Sequence, residues 1–139
     1  MRRSEQRQAA IWALYQSDLL DRPAEQGLAV DARPFTRALV RGVEERRREL
    51  DELIARHAHG WSLERIAPLE RSILRVALLE LLSPDTLPGE HRIPPEGAID
   101  EAVEIAKRFC GADAPAFVNG ILAAVLRERV GAGGERLPA

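Results

Sequence analysis

The chain has a single cysteine, Cys110, so it can build neither an internal disulfide nor a cysteine-rich metal site, and it fits a reducing cytoplasm. It has no run of about 18 apolar residues, and no long apolar stretch follows the opening Met-Arg-Arg-Ser. Secretion and membrane spanning are therefore not expected. Neither sign of charge is in large excess: the formal net charge is −2, so any nucleic-acid contact must come from a local basic cluster. There is no glycine-rich phosphate loop, no His-Glu-x-x-His and no Gly-x-Ser-x-Gly. No segment alternates with period two for long enough to make a strand, and no repeat of fixed period is visible.

The remaining chemistry-bearing residues do not form a catalytic set, and neither metal nor cofactor is expected. The histidines are His57, His59 and His91. The first two are two apart, so on a helix they point to different faces and make poor co-ligands. Cys110 has no histidine nearby in sequence and reads as a packed, inert thiol. Glu101 and Glu104 share a helical face, as paired carboxylates would, but Glu104 with Arg108 reads as an ordinary solvated pair.

What the sequence does have is helix. Residues 72–82, Ser-Ile-Leu-Arg-Val-Ala-Leu-Leu-Glu-Leu-Leu, are apolar nearly all round, broken only by Arg75 and Glu80. Such a helix must be surrounded by others. The candidates are amphipathic. One runs from Ser4 or Glu5 to Leu20, with Ala10, Ala13, Leu14 and Ser17 on one stripe and Trp12, Tyr15 and Leu19 beside it. A second starts at Pro34 and keeps register to about His57, with Glu44 to Glu49 read as a solvated face of intrahelical pairs. Gly60 closes it. Trp61 to Ile66 is a short turn with Trp61 packed on the core, and Pro68 opens the central helix. Asp85 to Gly97 reads as loop. Ile99, Ala102, Ile105, Ala106 and Phe109 stripe the next helix, which Gly111 ends in a left-handed cap. Asp113 then caps a last helix that runs to about Arg129. Gly120 inside it implies a close helix–helix approach, to residues 72–82. Arg75, among apolar neighbours, implies a buried hydrogen bond or a snorkelling side chain rather than a surface contact. The pattern is all-α, with residues 1–130 as one domain and 131–139 as a flexible tail.

Several motifs recur in a telling order: Arg2-Arg3-x-x-x-Arg7, then Ala13-Leu14-Tyr15-Gln16. Next come Leu69-Glu70-Arg71-Ser72-Ile73-Leu74-Arg75-Val76-Ala77 and Glu80-Leu81. The segment Ala98 to Phe109 and Phe117-Val118-Asn119-Gly120-Ile121-Leu122 complete the set. The set resembles the NusB family of bacterial transcription antitermination proteins, over Arg2 to about Arg129. Departures are Ser4 and Glu5 within the arginine cluster, Leu79 where an aromatic is usual, Asp100 in place of Asn, and a longer, proline-rich loop at Leu87 to Gly97.

The resemblance implies a helical bundle of six to seven helices in two subdomains, with no enzymatic activity. It implies binding to boxA-type single-stranded RNA of nascent ribosomal transcripts, jointly with the small-subunit ribosomal protein NusE, in an RNA polymerase antitermination complex. Homodimers and monomers both fit the family. By matching motif, the RNA face falls on Arg2, Arg3, Arg7, Lys107, Phe109, Asp113 and Asn119, and the NusE surface on Tyr15, Glu64 and Glu70. Phe109 can equally be core, and Asp113 only an N-cap. Two other readings stand beside this one. A similar helical domain accompanies ribosomal RNA cytosine methyltransferases, but the catalytic region such an enzyme needs is not in these 139 residues. The other is a protein–protein adaptor that binds no RNA.

Overall fold

The structure, a computed structural model, describes residues 2–89 and 93–133; His91 lies outside them. The described residues form six α-helices and no strand: α1 (Arg3–Leu20), α2 (Pro34–Glu45), α3 (Arg47–His57), α4 (Pro68–Leu82), α5 (Pro95–Phe109) and α6 (Ala114–Gly133). Short 3-10 turns lie at Ala24–Gly27, Leu63–Arg65 and Pro84–Thr86.

The central helix is α4, as its sequence requires. Every residue from Ser72 to Leu82 except Glu80 is buried. Ile73, Leu74, Leu78 and Leu79 have no exposed surface, and full burial of each contributes about 1.5–3 kcal/mol. Two groups of three mutually packed helices share it: α1 and α2 on one hand, α5 and α6 on the other, with α3 touching α4 and α6. That is the two-subdomain bundle expected.

The two polar breaks in α4 are both satisfied by ion pairs. Arg75 places Nε 2.7 Å from Asp51 Oδ1 and Nη2 3.1 Å from Asp51 Oδ2, while Nη1 donates to Asp18 Oδ2 at 2.9 Å. Arg75 is thus a buried hydrogen-bonded residue and not a surface contact. Glu80 accepts both of its bonds from Arg7.

The structure differs from the sequence reading at several points. The expected single helix 34–57 is two helices, kinked at Arg46 (φ −112°, ψ 17°). The kink falls within the charged run, which is solvated only in part. Glu44, Glu45, Arg48 and Glu49 are exposed, but Arg46 donates to Ser83 Oγ at 2.6 Å and Arg47 pairs with Asp18, both half-buried, and even exposed Glu44 accepts the Ala24 N–H at 3.3 Å. These side chains tie α2 and α3 to other elements instead of to each other. Trp61 is 52% exposed and not core, because the short turn that carries it lies on the surface. α5 begins at Pro95, inside the expected loop. Cys110 ends α5 in extended backbone (φ −119°, ψ 176°), so Gly111 makes no left-handed cap. Gly60 does take a positive φ, 79°.

Gly120 is exposed, and a Cβ there would meet nothing within 4 Å. The helix–helix contact expected at Gly120 is therefore not made. The close approach to the central helix is at Gly42 on α2, where a Cβ would stand 2.6 Å from Leu79 Cδ2. The last helix also continues past Arg129, to Gly133.

Candidate nucleic-acid interface

Three arginines were expected to act together at the N-terminus, and the structure separates them. Arg2 is solvated, its side chain 85% exposed, with Nε 3.2 Å from Glu5. Arg3 lies over the Phe35 ring, Cζ 4.1 Å from its centroid, and donates to the Pro88 carbonyl at 3.1 Å. Gly89 makes room for it: a Cβ there would stand 2.1 Å from Arg3 Nη2, and φ is +121°. Arg7 is 4% exposed. Its Nε and Nη2 grip Glu80 at 2.6 and 2.9 Å, and Nη1 reaches Glu101 at 2.9 Å. A guanidinium held on three sides by carboxylates is not open to phosphate, so Arg7 leaves the expected RNA cluster and joins the core. Glu101 is likewise a structural partner.

The other end of α5 is different. Lys107, Arg108 and Phe109 are exposed, and Arg108 Cζ lies 5.0 Å from the Phe109 ring centroid. Phe109 is 38% exposed, which decides against its being core. Its ring meets Trp12 of α1 edge-to-face at 5.4 Å, and Trp12 meets Tyr15 in the same way at 5.7 Å. α1 and α5 run in the same sense, since Arg7 meets Glu101 and Trp12 meets Phe109 further along both helices. Tyr15, expected on the partner side, and Phe109, expected on the RNA side, thus share one aromatic row through Trp12.

Asp113 and Asn119 are exposed on and just before α6. The Asp113 carbonyl accepts the Phe117 N–H at 3.2 Å, as an N-cap carbonyl does, while its carboxylate remains in solvent. Asp113 lines an open groove of about 440 Å³ with Glu70, Trp61, Arg65 and Phe117. Trp61 and Phe117 meet edge-to-face at 6.5 Å on its wall. Glu64 is exposed on the neighbouring turn. Burial pushes the Glu70 carboxyl above its usual range, and Glu70 forms no ion pair among the described residues. The Cys110 thiol is also pushed up, by burial and then by the Glu70 charge, which holds it in its unreactive form.

Trp12, Trp61 and Phe117 border this face without having been singled out for it. For Trp12 the local signal was present, an aromatic pair at helical spacing with Tyr15, but its partner Phe109 comes from a distant segment. Trp61 belongs to no periodic stripe, so the sequence carried no sign of its exposure. His57 faces Glu128 Oε2 at 2.5 Å, a tie between α3 and α6, and His59 is exposed. Among the described residues no three His, Cys, Asp or Glu side chains come together to hold a metal, and no helix is long and apolar enough to cross a membrane.

Residues 4–127 match the model of the NusB family. Transcription antitermination protein NusB of Symbiobacterium thermophilum is 38% identical, the match covering 96% of this chain and 95% of that protein. The protein of the same name from Frankia casuarinae is 55% identical over a shorter stretch, 63% of this chain and 61% of that one. T. maritima NusB shares the fold with a TM-score of 0.80 at 33% identity, over 99% of this chain and 94% of that one. A structure of antitermination factors NusB and NusE in complex with dsRNA superposes with a TM-score of 0.72 at 25% identity, over 90% of this chain and 97% of that one. The matched span contains the central helix with both its ion-paired polar residues, and the α5–α6 segment that carries the exposed face: this chain belongs to the NusB family.

Proposed function

We propose that this chain is a transcription antitermination factor that binds boxA-type single-stranded RNA of nascent ribosomal transcripts together with NusE, and acts in the RNA polymerase antitermination complex. The observation that carries the reading is the end of α5, where an exposed Phe109 stands among the solvated cations Lys107 and Arg108. An open aromatic ring offers a stacking surface to an unstacked base, and adjacent cations meet its phosphates. Asp113 and Asn119 add exposed polar groups on the α6 side, and Arg2 remains a solvated cation at the far end of α1. The relative solved with NusE and dsRNA supports both partners.

The NusE surface is read at Tyr15, Glu64 and Glu70. Glu70 is a part-buried carboxylate with no ion pair among the described residues, and a basic side chain from a ribosomal protein would supply one. Glu70 and Asp113 share one groove, so the two partners would meet there.

Titration of short boxA-like RNA, single- and double-stranded, with and without NusE, tests the reading. Single-stranded binding that tightens with NusE and weakens with salt is expected. Glu70→Lys should weaken NusE binding more than direct RNA binding. Absence of RNA binding under both conditions rejects the RNA role and leaves a protein adaptor.

A further inference from the structure

Trp12 is one of three aromatic residues on this face, with Trp61 and Phe117, that neither RNA nor NusE yet accounts for, and it alone of the three adjoins Phe109. Its ring stands between two others, Phe109 at an interplanar angle of 81° and Tyr15 at 73°. Neither neighbour lies flat against it. The ring is only part-buried, and it lines an open groove of about 530 Å³ between α1 and the connector that precedes α2, where Gln16, Leu28 and Arg33 also stand. Cations stand at the Phe109 end of the row, Arg108 over its ring and Lys107 on the same turn, while the groove beside Trp12 carries one exposed residue of each sign, Arg33 and Asp31.

Rings that stay open to water among solvated cations suit a single strand of nucleic acid, whose bases stack on flat faces while its phosphates pair with the cations. A protein partner would instead have to desolvate Lys107 and Arg108 beside the Phe109 ring and find an acid for each. We infer that Trp12 is a second base-stacking platform, next to Phe109, so that successive unstacked nucleotides of the RNA pass from the end of α5 across α1. The inference rests on the RNA reading above and adds to it a residue and a direction for the strand. Stacking is tolerant of base identity, so Trp12 contributes affinity and placement of the strand without choosing the base.

The test compares wild type, Trp12→Leu and Trp12→Phe in titrations of a labelled boxA-like single strand, and of NusE without RNA. Trp12→Leu should lose about 5- to 150-fold in RNA affinity, as expected for one stacked base, and Trp12→Phe should keep most of it. NusE affinity should not change, and thermal melts should show both variants folded. The same RNA with single abasic positions adds a direct readout. One position should weaken binding to wild type and have little effect on Trp12→Leu, because the base removed there is the one on Trp12. Equal RNA affinity of folded Trp12→Leu and wild type overturns the inference while leaving the RNA reading in place. Loss of NusE binding with RNA affinity intact assigns the ring to the protein partner and also overturns it. If wild type itself binds no single strand, the RNA reading fails and the inference falls with it. Should Trp12→Leu not fold, the abasic comparison is made with Trp12→Gln, which removes the ring but keeps a long side chain at this part-buried site; an abasic profile identical to that of wild type overturns the inference.

Discussion

Arg7 of α1 grips both carboxylate oxygens of Glu80 of α4 across 73 residues of sequence, and both side chains are almost fully removed from solvent. At the opposite end of the same helix pair the charges are reversed: Asp18 of α1 receives Arg75 of α4 at 2.9 Å. The two pairs fix α1 antiparallel to α4. If α1 were turned end for end, Arg7 would lie toward Arg75 and Asp18 toward Glu80, leaving like charges buried together. An apolar helix such as α4 tolerates many packings of similar area, and these two polar residues remove that freedom.

Arg7→Ala should therefore destabilise the fold by about 3–5 kcal/mol in urea denaturation, because Glu80 would be left buried without its cation. The double replacement Arg7→Met with Glu80→Leu should recover most of the loss, since it removes both charges at similar volume. Arg2→Ala should stay within about 0.5 kcal/mol of wild type, its pair with Glu5 being exposed. A stable Arg7→Ala variant with weakened RNA binding would return Arg7 to the surface role its sequence position suggested.

The arginine cluster shows where sequence reading stops. Arg2, Arg3 and Arg7 look alike in a string of residues near a terminus, but their partners, Glu5, Pro88 and Glu80, come from near and far. The central helix was legible because being apolar on all sides is a property of the segment itself, and so were the stripes of α1 and α5. The break at Arg46 was not legible: the apolar register runs through it, and the residues that hold Arg46 and Arg47, Ser83 at the end of α4 and Asp18 in α1, come from distant parts of the chain. Of the candidate site, Lys107, Phe109, Asp113 and Asn119 are on the surface as the matched motifs required. The row through Trp12 depended on the packing of α1 beside α5.

Two of the helical glycines, Gly42 and Gly120, should respond in opposite ways to alanine. At Gly42 the new methyl would press on Leu79, which is fully buried and has Cγ only 3.4 Å away as well, so the whole side chain must move within a packed core. Overpacking of this kind costs about 1–3 kcal/mol, against a gain of about 1 kcal/mol in helix propensity. Gly42→Ala should thus lower stability by up to about 2 kcal/mol. An unchanged or higher melting temperature would mean that Leu79 adapts freely.

At Gly120 there is nothing for the methyl to meet, so only the propensity gain remains. Gly120→Ala should raise stability by about 1 kcal/mol, or roughly 4 °C in melting temperature. A loss of stability there would show that the glycine serves some contact outside the isolated chain's own packing. Loss of RNA or NusE affinity in the stable variant would identify which partner makes that contact.

Glu70→Gln should have an effect that depends on pH. Glu70 lies in the first turn of α4, where the helix dipole favours a carboxylate, but burial outweighs this and raises its pKa above the ordinary 4.5. The folded chain then holds the Glu70 proton more tightly than the unfolded chain does. The stability linked to that proton is fully present below the unfolded value and is lost as pH rises through the folded one. Glutamine keeps the shape and cannot ionise. The variant should melt above wild type at neutral pH, and the difference should shrink as pH falls through the usual carboxylate range. Melting curves across that range measure it directly. A difference that does not change with pH would mean that charge at Glu70 is not what the fold resists. Added NusE should reverse the order at neutral pH, because a basic partner stabilises the carboxylate and not the amide.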